Sequence, residues 1–142
     1  MKKLIPLCLL ATLGISSASA QTVQKNEDVK IDILTETSQS WDGATLPNYP
    51  ITAPKITILR YTFPAHQRLS PHTHSIINCG VMLKGELTIV TMDGCEHTFK
   101  EGDVVMEMIG TVHYGENRGN EDAEVIMFYA GTEGLPLKEE AK

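Results

Sequence analysis

An all-β fold, either a sandwich or a barrel, is the fold class that this sequence predicts. From residue 30 onward, its apolar residues occur in short runs that are rich in Val, Ile, Thr, Tyr and Phe. Gly, Pro, Asn and Asp separate these runs at intervals of roughly ten residues, which is typical of strands joined by turns. No segment keeps a 3.6-residue apolar period between capping residues, so little helix is expected.

The strand candidates follow one another at close intervals. They cover residues 30–35, 56–63, 67–72, 76–83, 86–92, 95–100, 103–108, 111–115 and 123–129. Two-residue turns at Lys84–Gly85 and Asp93–Gly94 are expected to close hairpins. Residues 21–54 are interpreted as an N-terminal extension and connecting segment. The tail, 131–142, contains glycines, a proline and a charged run, so we expect it to lie on the outside.

Length and charge limit the classes of function. A chain of 142 residues is expected to form a single domain. Its 12 Lys and Arg residues against 18 Asp and Glu residues give a formal net charge of -6. Because no basic stripe is present to neutralise phosphates, nucleic acid is not expected as a partner.

The first twenty residues, 1–20, have the three-part pattern of a secretory signal peptide. Two lysines precede an apolar run at residues 4–13, and the segment ends in Ala-Ser-Ala. The apolar run is too short to cross a bilayer of about 30 Å. We therefore expect cleavage between Ala20 and Gln21, a periplasmic or secreted mature chain, and no membrane attachment after cleavage.

Cleavage would leave two cysteines, Cys79 and Cys95, in a compartment that favours disulfides. If both turns are two-residue hairpins, Cys95 lies opposite Met92, and Met92 lies opposite Ile77. The two cysteine Cα atoms would then be roughly 11 Å apart, whereas a disulfide requires less than about 7 Å. We therefore expect two free thiols that pack as small apolar groups.

Two histidines at the end of one predicted strand are the first candidates for chemistry. His72 and His74 are separated by one residue, so the two-residue period of a strand places both imidazoles on one face. Alone, such a pair is better explained by surface or turn histidines beside Pro71. A third histidine, His113, follows another apolar strand, and this favours a metal site.

With the third histidine included, the chain resembles the cupin superfamily over roughly residues 55–130. The first cupin motif, G-x5-H-x-H-x3–4-E-x6-G, is matched at His72, His74 and Gly85. The second motif, G-x5-P-x-G-x2-H-x3-N, is matched at Gly102, Gly110, His113 and Asn117. Three positions depart from the motifs, with His66 for the first glycine, Met108 for the proline and Asn78 for the glutamate.

The resemblance implies a double-stranded β-helix, or jelly-roll barrel, that holds one divalent metal ion (Fe, Cu, Ni, Zn or Mn). The family usually binds its metal through three His and one Glu, which fall here on His72, His74 and His113, with Asn78 in place of the glutamate. In an unbroken strand, Asn78 would share the face of His74, four residues before it. Its neutral amide either binds the metal weakly or holds a water ligand.

The missing glutamate also changes the expected charge of the site. Without this carboxylate, a divalent ion keeps a charge of +2 instead of about +1. The site would then favour a small anionic or chelating molecule as substrate or ligand.

Two functions are compatible with this site. The first is a metal-dependent enzyme with dioxygenase-like chemistry, or a redox-silent isomerase or lyase that uses the same residues. The second is a non-catalytic cupin that binds a small molecule or has only a structural role. No catalytic residue is assigned. Edge strands of a barrel pair readily, so a homodimer is compatible with this fold.

Other polar side chains receive simpler interpretations. Glu86 and Glu107 lie in or beside apolar strands, where either fits a buried general base. A carboxylate that deters pairing at an edge strand is the simpler interpretation of both. His97 is expected at an exposed edge and His66 in a solvated loop, although the position of His66 near the barrel mouth also fits proton transfer. Strand parity turns Tyr114 away from the face of His113.

Overall fold

Antiparallel strands account for the regular structure of this protein. A computed structural model describes residues 32–141, and no helix occurs among them. The strands are β1 (Pro54–Phe63), β2 (His72–Thr73), β3 (Ile77–Lys84), β4 (Glu86–Thr91), β5 (Glu96–Lys100), β6 (Val104–Met106), β7 (His113–Glu116), β8 (Ala123–Thr132) and β9 (Glu139–Glu140). All of them belong to one compact unit that begins at Ile33. In this part of the chain, no helix is long and apolar enough to span a membrane.

The strands form two sheets. One sheet has the order β1-β8-β3-β6, and the other has the order β5-β4-β7-β2-β9. From β2 to β8 the chain passes repeatedly from one sheet to the other, as in a double-stranded β-helix. The longest pairing joins β1 and β8 over ten residues, from Pro54 opposite Thr132 to Phe63 opposite Ala123. The predicted all-β jelly-roll barrel is confirmed.

The core lies between the two sheets because side chains alternate along each strand. In β3 and β8, every second side chain is buried and faces the other sheet. The buried apolar cluster consists of Phe63, Ile76, Met82, Leu87, Ile89, Phe99, Val105, Met108, Ala123, Val125, Met127 and Tyr129. This packing leaves the polar side chains of the barrel interior in an environment that water reaches poorly.

Several predicted strands differ from the observed ones. The described part of the first candidate, residues 32–35, contains no strand, and the predicted signal peptide lies outside the described residues. The candidate at 67–72 is reduced to β2, which begins only at His72. The tail carries β9, which pairs with β2. Its charged sequence lacks an apolar alternation, so the strand depends on the open edge of β2.

The turn at Gly85 joins the two sheets instead of closing a hairpin. Strands β3 and β4, on either side of it, belong to different sheets. Gly85 has a φ of +68°, and an added Cβ would lie 3.1 Å from the Cα of Ala123 and from the carbonyl oxygen of Asp122. Glycine is therefore required here both by the backbone conformation and by the close approach of the chain.

The second predicted turn does close a hairpin, between β4 and β5, but with one residue more than expected. The Thr91 N–H donates to the Cys95 carbonyl at 2.9 Å. Cys95 therefore lies opposite Thr91 and not opposite Met92. The register used to separate the two cysteines was wrong, but both thiols are free as predicted. Cys79 is half-buried, whereas Cys95 is exposed and not packed.

Candidate metal centre

The structure brings the three motif histidines together inside the barrel. His72 on β2 lies directly opposite His113 on β7, and His74 follows just after β2 ends. All three are buried, and each offers a nitrogen within 4.8 Å of those of the other two. Their ring centroids are 4.8 to 5.2 Å apart. Strand alternation places His113 inside and Tyr114 outside, where Tyr114 contacts Arg68.

Each of these imidazoles is oriented by a backbone carbonyl. The Nδ1 of His72 donates to the Ser70 carbonyl at 2.8 Å. In the same way, the Nδ1 of His74 donates to the Leu137 carbonyl at 2.7 Å, and that of His113 donates to the Thr111 carbonyl at 2.8 Å. Because a carbonyl oxygen only accepts hydrogen bonds, Nδ1 carries the proton in each ring. The lone pair of Nε2 is therefore left available, as in histidines that bind metal ions.

Burial keeps these imidazoles neutral at physiological pH. Desolvation lowers the pKa of His72 and of His113, and it lowers the pKa of His74 to about 4. A neutral imidazole is the form that donates a lone pair to a metal ion. The site is therefore ready to bind a cation without first losing protons from its histidines.

Asn78 lies on β3, in the sheet opposite β2 and β7. The strand is interrupted between His74 and Asn78, because β2 ends at Thr73 and β3 begins at Ile77, so parity along one strand does not relate the two side chains. Asn78 is nevertheless only 1% exposed. Its Nδ2 donates to the Ile76 carbonyl at 3.3 Å, and its Oδ1 has no hydrogen-bond partner within residues 32–141.

Glu107 belongs to this site, although an edge-strand carboxylate is the simpler interpretation of it from the sequence. It follows β6, which is an edge strand as expected, but the Trp41 N–H donates to the Met106 carbonyl and covers that edge. Glu107 is only 8% exposed, and its Oε2 lies 3.3 Å from Nε2 of His113. Burial raises its pKa to about 7. The two-residue period of the strand could have indicated this position, because Glu107 is two residues after the buried Val105 and shares its inward face.

Two other matched motif residues hold the backbone around the site. The Asn117 side chain donates to the carbonyls of Phe63 (2.9 Å) and Glu121 (2.7 Å) and accepts from the Gly119 N–H (2.9 Å). The Gly110 N–H donates to the His74 carbonyl at 2.9 Å. The second motif therefore supports the loops that position the histidines of both motifs.

His72, His74 and Glu107 border a small cavity of about 30 Å³ with largely apolar walls. This volume holds an ion with one or two waters. Tyr61 and Tyr129 also line the cavity, and their hydroxyl oxygens are 3.0 Å apart. The Tyr129 ring centroid is 6.0 Å from that of His74, and burial raises the pKa of Tyr129. Its hydroxyl therefore stays protonated at physiological pH.

The remaining histidines of the described chain lie outside this cavity. His97 is exposed on β5 and stacks against Trp41 with ring centroids 6.0 Å apart. His66 is exposed in a turn and has a φ of 62°. Neither residue lines the cavity beside the metal-site histidines.

The donor set fits a divalent metal ion. Three neutral imidazoles converge, and Nε2 of His113, Oε2 of Glu107 and Oδ1 of Asn78 are buried without a hydrogen-bond partner in the described part of the chain. Buried acceptors without donors are costly, and a cation bound between Nε2 of His113 and Oε2 of Glu107 would offset that cost for these two atoms. Nitrogen-rich sites of this kind suit Zn, Cu, Fe and Ni.

Comparison with known families agrees with the fold and with the motifs. A family model described as a cupin domain matches residues 59–129, half of the chain. The chain therefore belongs to the cupin superfamily. No curated protein matches the sequence as a relative.

Solved structures share the architecture at low sequence identity. A double-stranded β-helix protein of Klebsiella pneumoniae is 15% identical with a TM-score of 0.54, over 84% of this chain and 98% of that chain. An RmlC-like cupin from Methanocaldococcus jannaschii is 18% identical with a TM-score of 0.51, over 73% and 87% of the two chains. These similarities show the fold alone.

One similar structure has a named activity. It is the DMSP lyase DddQ from Ruegeria pomeroyi, which is 14% identical with a TM-score of 0.53. The match covers 70% of this chain but only 47% of the lyase. At this identity, and over less than half of the lyase, the likeness again concerns the fold.

Proposed function

We propose that this cupin is an exported, metal-dependent enzyme with dioxygenase-like chemistry, which acts on a small anionic or chelating molecule. The observation that carries the proposal is the convergence of three buried imidazoles whose Nδ1 atoms are all bonded to backbone carbonyls. Such fixed tautomers leave three Nε2 atoms for one ion, and the Nε2 of His113 is costly to bury without a partner.

We assign a separate role to each polar residue of this site. His72, His74 and His113 would hold the ion, and Asn78 would bind it or hold a water ligand. When bound, a divalent ion of Fe, Cu, Ni, Zn or Mn supplies open positions at which it polarises oxygen or sulfur donors. The apolar cavity walls exclude competing water, which strengthens the electrostatic interactions of a bound anion. The cavity accommodates only the chelating end of a substrate or a very small molecule.

A redox-silent lyase or isomerase is a second candidate, and the tyrosine pair favours it. Tyr129 lines the cavity with its ring beside His74, and its hydroxyl is hydrogen-bonded to that of Tyr61. A phenol that stays protonated can donate a hydrogen bond, or a proton, to a substrate oxygen on which charge develops. In this candidate the same three histidines would hold Zn or Mn.

Metal analysis of the mature protein tests the proposal. The protein is purified from the periplasm without an affinity tag or chelator, and its N-terminus is sequenced to test cleavage before Gln21. About one equivalent of Fe, Cu or Ni is expected, followed by oxygen uptake with a small anionic chelator as substrate. The variants His72→Ala and His113→Ala are expected to lose this metal.

A matched control and two other outcomes make the test decisive. His66→Asn also removes one imidazole, but from an exposed turn whose positive φ asparagine tolerates, so it is expected to keep its metal. Zn or Mn without oxygen uptake would replace the dioxygenase proposal with the lyase or isomerase. No metal, together with no thermal shift on adding metals back, would leave a binding or structural cupin.

A further inference from the structure

Glu107 and Asn78 are cross-strand neighbours on the inner face of one sheet. The register of β3 and β6 pairs Cys79 with Met106, and one residue further the Glu107 N–H donates to the Asn78 carbonyl at 3.2 Å. Residues that face each other on antiparallel strands direct their side chains to the same side. The carboxylate of Glu107 therefore stands one strand away from the position at which the cupin motif has its glutamate.

When Glu107 is ionised, its contact with His113 joins two hydrogen-bond acceptors. Nδ1 of His113 carries the proton, so its Nε2 is an acceptor, and so is the Oε2 of an ionised Glu107. These atoms are 3.3 Å apart, and neither has a hydrogen-bond partner among the described residues. A cation that both atoms contact would convert this unfavourable pair into a favourable one.

The distance between the two atoms is also suitable. Two donors that are each about 2.1 Å from one ion are about 3.0 to 3.4 Å apart at bond angles of about 90 to 109°. The observed 3.3 Å lies within this range. Asn78, by contrast, offers only a neutral amide oxygen, while its Nδ2 is used by the Ile76 carbonyl.

We propose that Glu107 supplies the anionic ligand of the metal centre, in place of the motif glutamate that Asn78 replaces. This inference rests on the proposed metal site and specifies its ligand set as three histidines and one carboxylate. A divalent ion in this set keeps a net charge of about +1, so the site attracts anions less strongly than three histidines and an amide would. The proposed carboxylate ligand follows β6, whereas the motif position lies on β3, the neighbouring strand of the same sheet.

Competition for Zn²⁺ between the apoprotein and a chromophoric chelator tests this assignment. Glu107→Gln keeps the shape of the side chain and removes its charge, so we expect at least a tenfold loss of Zn²⁺ affinity. The control His66→Asn, in an exposed turn, is expected to change the affinity by less than about threefold. The double variant Asn78→Glu/Glu107→Gln returns the carboxylate to the motif position and is expected to restore the affinity of the wild type.

A spectroscopic measurement separates ligation from a change in stability. In the Co²⁺-loaded protein, Glu107→Gln is expected to shift the visible d–d absorption bands because one ligand changes, whereas His66→Asn leaves them unchanged. If Glu107→Gln binds Zn²⁺ as tightly as the wild type while His72→Ala loses it, the metal site stands and Glu107 is not a ligand. If the wild type binds no divalent ion, both the metal site and this inference fail.

The double variant also protects the test against misfolding. If Glu107→Gln does not fold, the affinity of Asn78→Glu/Glu107→Gln decides. Affinity equal to that of the wild type supports exchange of the carboxylate between the two strands. Loss of affinity in a double variant with native circular dichroism overturns it.

Discussion

The Leu137 carbonyl accepts a hydrogen bond of 2.7 Å from Nδ1 of His74, 63 residues earlier in the chain. The C-terminal tail thereby determines the tautomer of one proposed metal ligand. The same tail adds β9 to the edge of β2, opposite His72 and Thr73. The composition of this tail predicts that it lies on the outside. In the structure it supplies a strand and a hydrogen bond that support the site.

Truncation before Leu137 is therefore expected to weaken metal binding. Without this carbonyl, the His74 ring loses its orienting partner, and we expect Zn²⁺ affinity to fall about 10- to 100-fold. Leu137→Ala removes the side chain but keeps the carbonyl, so its affinity is expected to stay near that of the wild type. Equal losses in the truncated chain and in Leu137→Ala would assign the effect to side-chain packing instead.

The metal-free protein is expected to lose stability as the pH falls from about 6.5 toward 4. The three histidines have lowered pKa values when folded, about 4 for His74, so the unfolded chain binds more protons in this range. Their contribution is fully present above the unfolded pKa and is lost as the pH falls. Urea unfolding of chelator-treated protein over this range would measure the slope.

Glu107 opposes this trend, and its removal is expected to steepen it. Its pKa is raised to about 7 in the folded state, so the folded protein binds the extra proton between the usual glutamate value of 4.5 and 7. This contribution to stability is present at low pH and is lost as the pH rises. Glu107→Gln should therefore gain stability more steeply than the wild type from pH 4.5 to 7. An unchanged slope would contradict a raised pKa at Glu107.

Gly85→Ala is expected to destabilise the barrel more than the same change at Gly94. Both glycines have positive φ, which costs alanine about 1–2 kcal/mol. Only at Gly85 would the new Cβ approach the Ala123 backbone at 3.1 Å, which adds an overpacking cost of about 1–3 kcal/mol. An added Cβ at Gly94 has no atom of the described chain within 4 Å. Urea midpoints of the two variants give the comparison, and equal midpoints would rule out a close approach at Gly85.

The two thiols are expected to react at different rates. Cys95 is exposed, whereas Cys79 is half-buried in β3, where burial raises the pKa of its thiol. In unreduced native protein, a thiol reagent should therefore modify Cys95 first, and Cys95→Ser should abolish the fast phase. Denatured, unreduced mature protein should show both thiols, and finding none would establish a disulfide.

Local sequence patterns predicted most of the fold and the central part of the site. The all-β class follows from apolar runs of strand length, which reflect the two-residue period of side chains along a strand. His72 and His74 share one motif, and His113 belongs to the second, so their spacing identified them before any packing was known. The motif glycine Gly85 was also found, although its turn was assigned to a hairpin when it joins two sheets.

The remaining features depend on which strands become neighbours, and spacing along the chain does not carry that information. Glu107 meets His113 only because β6 pairs with β3 and faces β7 across the barrel, while its local pattern equally fits an exposed edge strand. Leu137 meets His74 only because β2 has an open edge for the tail. The sequence by itself determined the strand periodicity and the three histidines, which are local properties. Tertiary structure alone decided the buried carboxylate and the orienting carbonyl, because both are contacts between segments brought together by packing.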